Sequence, residues 1–155
     1  MDTPVMTPPH AHAHATAPSA PETPGSADTS GLFAQVAFNH LLGLQREFAQ
    51  DGVARLTLAA RPELCNNFLV VHGGVLMSMM DSAMSSAALS ASGFQKAVVT
   101  IDMTTSFHQP ARGHLTAHAT CQGGGQSVCF CEARVEDEQG TVVARAMGTF
   151  RYVRV

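Results

Sequence analysis

Charge is scarce in this sequence, and positive charge is not concentrated in any segment. Charged residues make up 14% of the chain, the formal net charge is −3, and Lys and Arg form no cluster. Proteins that bind phosphate backbones or anionic lipid surfaces usually carry such a cluster. We therefore expect neither a nucleic-acid partner nor a membrane partner.

Export signals, membrane spans and disulfide motifs are also missing. No Lys or Arg precedes Arg46, no apolar run resembles a signal-peptide core, and the most helix-like apolar stretch contains Asp81 and six serines. The four cysteines show no CxxC spacing, and Cys129 and Cys131 lie on one face of a predicted strand. We expect reduced thiols in a soluble, cytoplasmic protein.

The composition divides the chain into a tail and one domain. Residues 1–30 contain six of the eight prolines and few large apolar side chains, which is typical of a disordered segment. Residues 31–155 are enough for one hydrophobic core but not for two. We predict a disordered tail over 1–30 and a single folded domain over 31–155.

The apolar pattern of the domain predicts two helices and six strands. A short amphipathic helix, built on Leu32, Phe33, Val36, Phe38, Leu41 and Leu42, should end near Gly43. Asp51-Gly52 predicts a hairpin turn, and a long helix should follow His72-Gly73-Gly74. The predicted strands cover 44–50, 53–60, 97–107, 114–121, 127–135 and 141–153, and the long helix covers 75–92.

The long helix is apolar or small nearly all round, which is typical of a helix enclosed by a sheet. The predicted fold class is therefore α+β, with an antiparallel sheet curled around one helix. In strand 97–107 one face should enter the core, and the other face should be polar. The predicted core residues are Val99, Ile101, Met103 and Phe107, and the polar residues are Thr100, Asp102, Thr104 and Ser106.

Asp81 is the strongest candidate for a chemical role. It is the only Asp, Glu, Lys, Arg or His between His72 and Lys96. Burial of an unpaired carboxylate is costly, so its presence in such a helix suggests a function. The alternative is that Ser78 or Ser85, one turn away on the same face, or a partner subunit satisfies it.

Gly73-Gly74 stands where the long helix should begin. A helix N-terminus offers free N–H groups that can hold an oxyanion, although a Gly-Gly pair can also form a simple tight turn. Asp81 lies eight residues beyond Gly73, or about 12 Å along a helix axis. We expect an antiparallel partner helix to bring one subunit's Asp81 to the other's Gly73.

A family resemblance is carried by Asn66, His72-Gly73-Gly74, Asp81 and the segment Val99 to Met103, together with the ending Ala144 to Phe150. These motifs resemble the hotdog-fold thioesterases of the phenylacetate-pathway and four-hydroxybenzoyl-CoA thioesterase superfamily, over about Gly31 to Val155. One departure is Leu69, which stands where the family often has a glycine. It could change how Asn66 is aimed.

The resemblance implies a hotdog fold and an acyl-CoA substrate that is hydrolysed to the free acid and CoA. Asp81 would be the general base or nucleophile, and the Gly73 N–H would stabilise the oxyanion. Asn66 would position the thioester or water, and Thr100 would orient the water. From propensity alone, Asn66 can also be a residue that caps a turn, and Thr100 can be a plain strand residue. His72 and Gly74 are candidate substrate-binding residues, with His72 mainly shaping the turn.

The resemblance also implies sites shared between subunits, in a homodimer or a homotetramer built as a dimer of dimers. We expect no cofactor and no catalytic metal, because a thiolate leaves readily. The rival functions are an enoyl-thioester hydratase, an acyl-CoA binding module without turnover, and a structural protein with an interfacial Asp81. This sequence lacks the His-Phe-Pro-like motif of such hydratases. Acyl-CoA binding regulators with this fold carry an attached DNA-binding helix pair, which residues 1–30 cannot form.

Overall fold

A computed structural model describes residues 28–154, and most of the predicted tail lies outside this range. Thr29 is fully buried, and its hydroxyl lies within hydrogen-bond distance of the backbone oxygens of Phe94 and Lys96. The contacts of the domain therefore include Thr29, which precedes the predicted boundary at Gly31.

Residues 28–154 form three helices and six strands, with one short 3-10 turn at Pro62–Leu64. The helices are α1 Leu32–Gln35, α2 Ala37–Leu42 and α3 Gly73–Ala91, and the strands are β1 Gln45–Gln50, β2 Val53–Ala59, β3 Ala97–Phe107, β4 His114–Gly124, β5 Val128–Glu136 and β6 Val142–Val153. All neighbouring strands are antiparallel, in the order β1-β2-β4-β5-β6-β3. This is the hotdog arrangement, and the predicted fold class is confirmed.

The core lies between α3 and the inner face of the sheet. Met79, Met80 and Met84 of α3 are fully buried, and α3 contacts every strand. From the sheet, Leu56, Leu115 and other inward side chains pack against them. The alternation predicted for these strands is what places every second side chain against the helix.

The hairpin prediction is confirmed in detail. Asp51 and Gly52 both have positive φ, 49° and 81°, which is the conformation of a two-residue turn between twisted antiparallel strands. Asp and Gly tolerate this region better than most residues. The pair therefore fixes the register of β1 on β2.

The first helical segment differs from its prediction because Val36 is extended and divides it into α1 and α2. The inward face of α2 is formed by Asn39 and Leu42, and Ser82 of α3 donates a hydrogen bond to Asn39. Since that polar contact takes the inner face, the apolar side chains of Phe38 and Leu41 are turned to the outside.

The predicted core face of β3 is wrong for three of its four residues: Val99, Ile101 and Phe107 are exposed. Met103 does pack against the core. For Val99 and Ile101 the cause is a β-bulge between Thr100 and Asp102 in the pairing with β6, which inserts one residue and breaks the simple alternation. Phe107 pairs with buried Ala144 beyond the bulge, and it is the last residue of β3, beside the N-terminus of α3. β3 is also an edge strand, so one of its sides has no strand neighbour within residues 28–154.

Candidate active site

The Asp81 carboxylate projects from the middle of α3 toward β3. The Thr100 hydroxyl donates a hydrogen bond of 2.7 Å to Asp81 Oδ1. Burial raises the pKa of Asp81 because it disfavours the charged form, and the Thr100 hydrogen bond opposes this by stabilising the carboxylate. Asp81 is thus a half-buried acid with one polar contact from the sheet.

The serine neighbours on α3 do not satisfy Asp81. Ser78 donates to the backbone oxygen of Gly74, and Ser82 donates to Asn39. Within residues 28–154, Ser85 makes no hydrogen bond to Asp81 either. The alternative in which Ser78 or Ser85 neutralises this carboxylate is therefore not what the fold adopts.

Asp81 borders a cavity of about 340 Å³ between the first helices and α3. Its walls combine apolar side chains with the serine face of α3: Phe33, Val36, Leu89 and Val98 face Ser82, Ser85 and Ser86. A mostly apolar cavity with a few polar groups beside a perturbed acid is typical of a small-molecule site.

The N-terminus of α3 leaves one amide available. His72 is the N-cap residue, and its Nδ1 accepts the Gly74 N–H at 2.9 Å. The N–H groups of Val75 and Leu76 point to the His72 backbone oxygen. Among residues 28–154, the Gly73 N–H has no such acceptor, so it is the free donor at this helix end.

His72 therefore shapes the turn, as the sequence suggested, and the Gly74 amide is already engaged. The ring of Phe107 covers Gly73: a Cβ added there would lie 3.1 Å from the ring. Sequence reasoning placed Phe107 in the core and missed this contact, because the apolar pattern does not show which part of α3 lies against the end of β3.

Asn66 organises the loop that leads to α3. Its side-chain oxygen accepts the Phe68 N–H at 2.9 Å and the Val70 N–H at 3.4 Å. The turn-capping alternative for Asn66 is thus realised in the structure. Its side-chain NH₂ makes no hydrogen bond within the described range and is free to donate to a substrate.

Leu69, the departure from the family pattern, adopts a φ of 57°. This is the left-handed region, where glycine is favoured and other L-residues are strained. The backbone at Leu69 is therefore one that favours glycine, and the Asn66 side chain accepts the N–H groups on either side of it. Beside it, a second cavity of about 370 Å³ is lined by Asn66, Leu69 and Arg112.

The structure brings Thr100 to Asp81, but Gly73 lies at the N-terminus of α3. Eight residues of α-helix separate Asp81 from Gly73, which corresponds to about 12 Å along the axis. No reacting carbon can contact both groups of one chain. The carboxylate of Asp81 and the free N–H of Gly73 in one chain are therefore too far apart to act on the same carbon.

Among the described residues, none of the helices combines the length and hydropathy required to cross a bilayer.

Comparison with known proteins gives a consistent family. A thioesterase superfamily model matches residues 68–144. A candidate esterase of Halobacterium salinarum is 36% identical over 124 residues, covering 73% of this chain and 82% of that protein. A conserved Pseudomonas aeruginosa protein of known structure superposes with a TM-score of 0.73 at 31% identity, covering 76% of this chain and 94% of that one.

The fold similarity extends to the E. coli PaaI protein from the phenylacetic acid degradation operon. Its structure superposes with a TM-score of 0.74 at 24% identity, covering 79% of this chain and 88% of that one.

Proposed function

This chain belongs to the thioesterase superfamily, and from that premise we propose that it hydrolyses an acyl-CoA thioester to the free acid and CoA. The proposal depends most on one observation, the half-buried Asp81 carboxylate held by Thr100 in a helix segment without any other charge. Family membership supports hydrolase activity in general, and the acyl-CoA substrate is our inference.

In the proposed reaction, Asp81 acts as the base for water or as the nucleophile itself. As a base, it takes a proton from water while the water oxygen attacks the thioester carbonyl carbon. The C–S bond then breaks, and the CoA thiolate leaves and is protonated. As a nucleophile, the Asp81 carboxylate forms a C–O bond to the acyl carbon as the C–S bond breaks, and water then hydrolyses the resulting mixed anhydride. A single turnover in H₂¹⁸O separates the two routes: the base route puts all of the label in the acid product, whereas hydrolysis of the anhydride can leave label in the Asp81 carboxylate.

The oxyanion of the tetrahedral intermediate would be held by the Gly73 N–H, which has no acceptor among residues 28–154. Since one chain cannot place its own Asp81 near its own Gly73, we assign the two groups to different subunits of a dimer. The dimer would hold two equivalent sites. A tetramer built from two such dimers keeps the same sites.

The substrate's CoA portion has a candidate place beside Asn66. The cavity of about 370 Å³ there includes Arg112, and a guanidinium is suited to phosphate groups. The acyl group would occupy the cavity beside Asp81, whose apolar walls suit a hydrocarbon. Cleavage of a thioester needs no metal, since a thiolate is a good leaving group.

The activity is tested by incubating purified protein with a panel of acyl-CoAs and following free thiol release. Wild type should release thiol from at least one of them, and Asp81→Asn should lose roughly 10²–10⁴-fold in kcat, as expected for loss of a general base. Asp51→Asn is the matched control, because it removes an exposed acid at a turn where Asn is tolerated.

Two results would refute the proposal. One is an absence of thiol release from every acyl-CoA by folded wild-type protein. The other is an Asp81→Asn protein as active as Asp51→Asn. Hydration of an enoyl-CoA without thiol release would instead identify the hydratase alternative.

A further inference from the structure

Three of the four cysteines lie close together, away from Asp81 and Gly73. The sulfur atoms of Cys121, Cys129 and Cys131 all lie within 4.8 Å of one another. Cys129 and Cys131 are buried and Cys121 is half-buried, while Cys65 lies outside the cluster. We call these three residues the cysteine cluster.

The sheet register builds the cluster from two strands. Cys129 and Cys131 point inward from alternate positions of β5, and Cys121 of β4 lies directly opposite Cys131. A β-bulge follows at once between Cys121 and Gly123. Bulges often stand beside functional sites because they redirect a side chain and end the regular pairing.

We propose that the cysteine cluster is a binding site for one thiophilic ion, held by its three sulfur atoms. Thiolates select soft ions. Bonds of about 2.3 Å to sulfur place the sulfur atoms roughly 3.8 Å apart at tetrahedral angles and roughly 3.4 Å apart at the pyramidal angles, about 95°, of a three-coordinate metalloid. Since no pair in the cluster exceeds 4.8 Å, side-chain rotations that close each gap by about 1.4 Å or less would bring the sulfurs to binding distance.

The charge of the complex identifies the class of ion. Three thiolates around a monovalent ion leave a net charge of −2, and around a divalent ion a net charge of −1. A buried net charge is costly unless it is compensated. A trivalent ion gives a neutral complex, so a site with two buried sulfurs favours a trivalent metalloid such as arsenic(III).

The binding step needs no oxidant and no preformed thiolate. Neutral As(OH)₃ exchanges its three hydroxyl groups for three cysteine sulfurs, each S–H proton leaves with a hydroxyl group as water, and arsenic stays trivalent. Three As–O bonds and three S–H bonds break, and three As–S bonds and three O–H bonds form. Charge is unchanged throughout, which suits an environment of low polarity.

An approach to the cluster is present. A cavity of about 520 Å³ at the C-terminal end of α3 is lined by Cys121 and Cys129, with Lys96 and Tyr152 at its side. Half-buried Cys121 is therefore the sulfur that an incoming ion meets first. The buried pair on β5 would complete the site after it.

The test adds arsenite to the reduced full-length protein and counts bound arsenic by native mass spectrometry, with sulfur-to-arsenic absorption as a second readout. We expect one arsenic per chain with the mass of three hydrogens lost. Cys121→Ser should weaken binding at least about tenfold. Cys65→Ser is the matched control, since it removes a half-buried thiol outside the cluster and should bind as wild type does.

Cys121→Ala serves as a second variant, and circular dichroism confirms that each variant is folded. Three results would overturn the proposal: no arsenic on the reduced wild type, undiminished binding by both folded Cys121 variants, or a loss of binding in Cys65→Ser. Tighter binding of Zn(II) or Cu(I) than of arsenite in competition would overturn the assignment of a trivalent ion.

Discussion

At Asp81 two local effects act on one carboxyl group. Burial in α3 raises its pKa, and the Thr100 hydroxyl lowers it. The carboxylate is the form that can act as base, so activity should be lost as the pH falls through this pKa. We therefore expect the acidic limb of the kcat/KM profile to lie above 3.8, the ordinary value for Asp.

Thr100→Val removes the hydroxyl but keeps the shape of the side chain. Because the hydrogen bond that stabilises the carboxylate is lost, the pKa of Asp81 should rise further and the acidic limb should move to higher pH. The measurement is kcat/KM for thiol release across pH. Thr104→Val, an exposed change on the same strand, is the control, and a limb unmoved or displaced to lower pH in Thr100→Val contradicts the assignment.

Leu69 carries backbone strain that glycine would relieve. Its side chain is 79% exposed, so removing it loses little packing, while the left-handed conformation of an L-residue costs about 1–2 kcal/mol. Glycine loses more conformational entropy on folding than leucine does, and this offsets part of the gain. Leu69→Gly should therefore raise the free energy of unfolding by roughly 0.5–1 kcal/mol. Urea denaturation measures this.

Phe68→Gly is the control for the Leu69 prediction. Phe68 is 73% exposed in the same loop but has no positive φ, so glycine there should not stabilise the protein. Equal stabilisation by both changes would show that the conformation of Leu69 is not the cause. The sequence could identify this position only through the family pattern, because nothing in the residue type Leu predicts a positive φ.

Among the elements, those with strong local signals could be predicted from sequence. The Asp51-Gly52 turn and the small-residue helix were recognisable because their residues favour these conformations directly. The faces of β3 could not be predicted, since a bulge depends on how β6 pairs with it. The division at Val36 was also hidden, because the apolar pattern runs through this residue without a break.

The N-terminus of α3 gives a test of the oxyanion donor. Gly73→Pro removes the N–H at the first helical position, where proline is well tolerated, and His72 already has the extended conformation that proline requires, with φ −61° and ψ 138°. We expect kcat to fall about 10²–10³-fold, as for loss of one oxyanion donor.

Gly73→Ala is the matched control, because it adds a Cβ against the Phe107 ring but keeps the N–H. It should retain much more of the wild-type kcat than Gly73→Pro does. Equal losses in the two variants would show that crowding against Phe107, rather than the missing donor, explains the effect. Thermal unfolding of both variants checks that the helix is intact.

The edge strand β3 is our candidate for the contact between subunits. Ile101 is 54% exposed on it, and edges with exposed apolar residues tend to pair with another chain. Ile101→Lys should shift the protein toward monomer in sedimentation velocity and reduce activity together with it. Met147→Lys, also an exposed apolar position but on an interior strand, should leave the dimer present.

If Ile101→Lys sediments as wild type does, the edge of β3 is not the dimer contact. The sequence alone predicted that an edge would need covering, but it could not identify which one. The apolar residues that the structure exposes on β3 were predicted to lie in the core. Because the bulge leaves no sign in the sequence, nothing there indicated that this edge carries exposed apolar residues.

For the whole molecule, the central feature is that one chain holds an acid and a free amide that it cannot use together. The spacing along α3 made this predictable, because eight residues of helix fix a distance. The sequence could not predict which side chains lie beside Asp81 and Gly73. Thr100 beside Asp81, Phe107 over Gly73 and the meeting of three cysteines all depend on cross-strand register.

The most direct test of the shared site is complementation between Asp81→Asn and Gly73→Pro subunits, co-expressed with different tags. Each variant alone should be nearly inactive. A mixed dimer has one site with an intact acid and an intact amide, and random assembly makes half of the dimers mixed, so about one quarter of wild-type thiol release should return. Mixed dimers that are no more active than either parent would contradict the account.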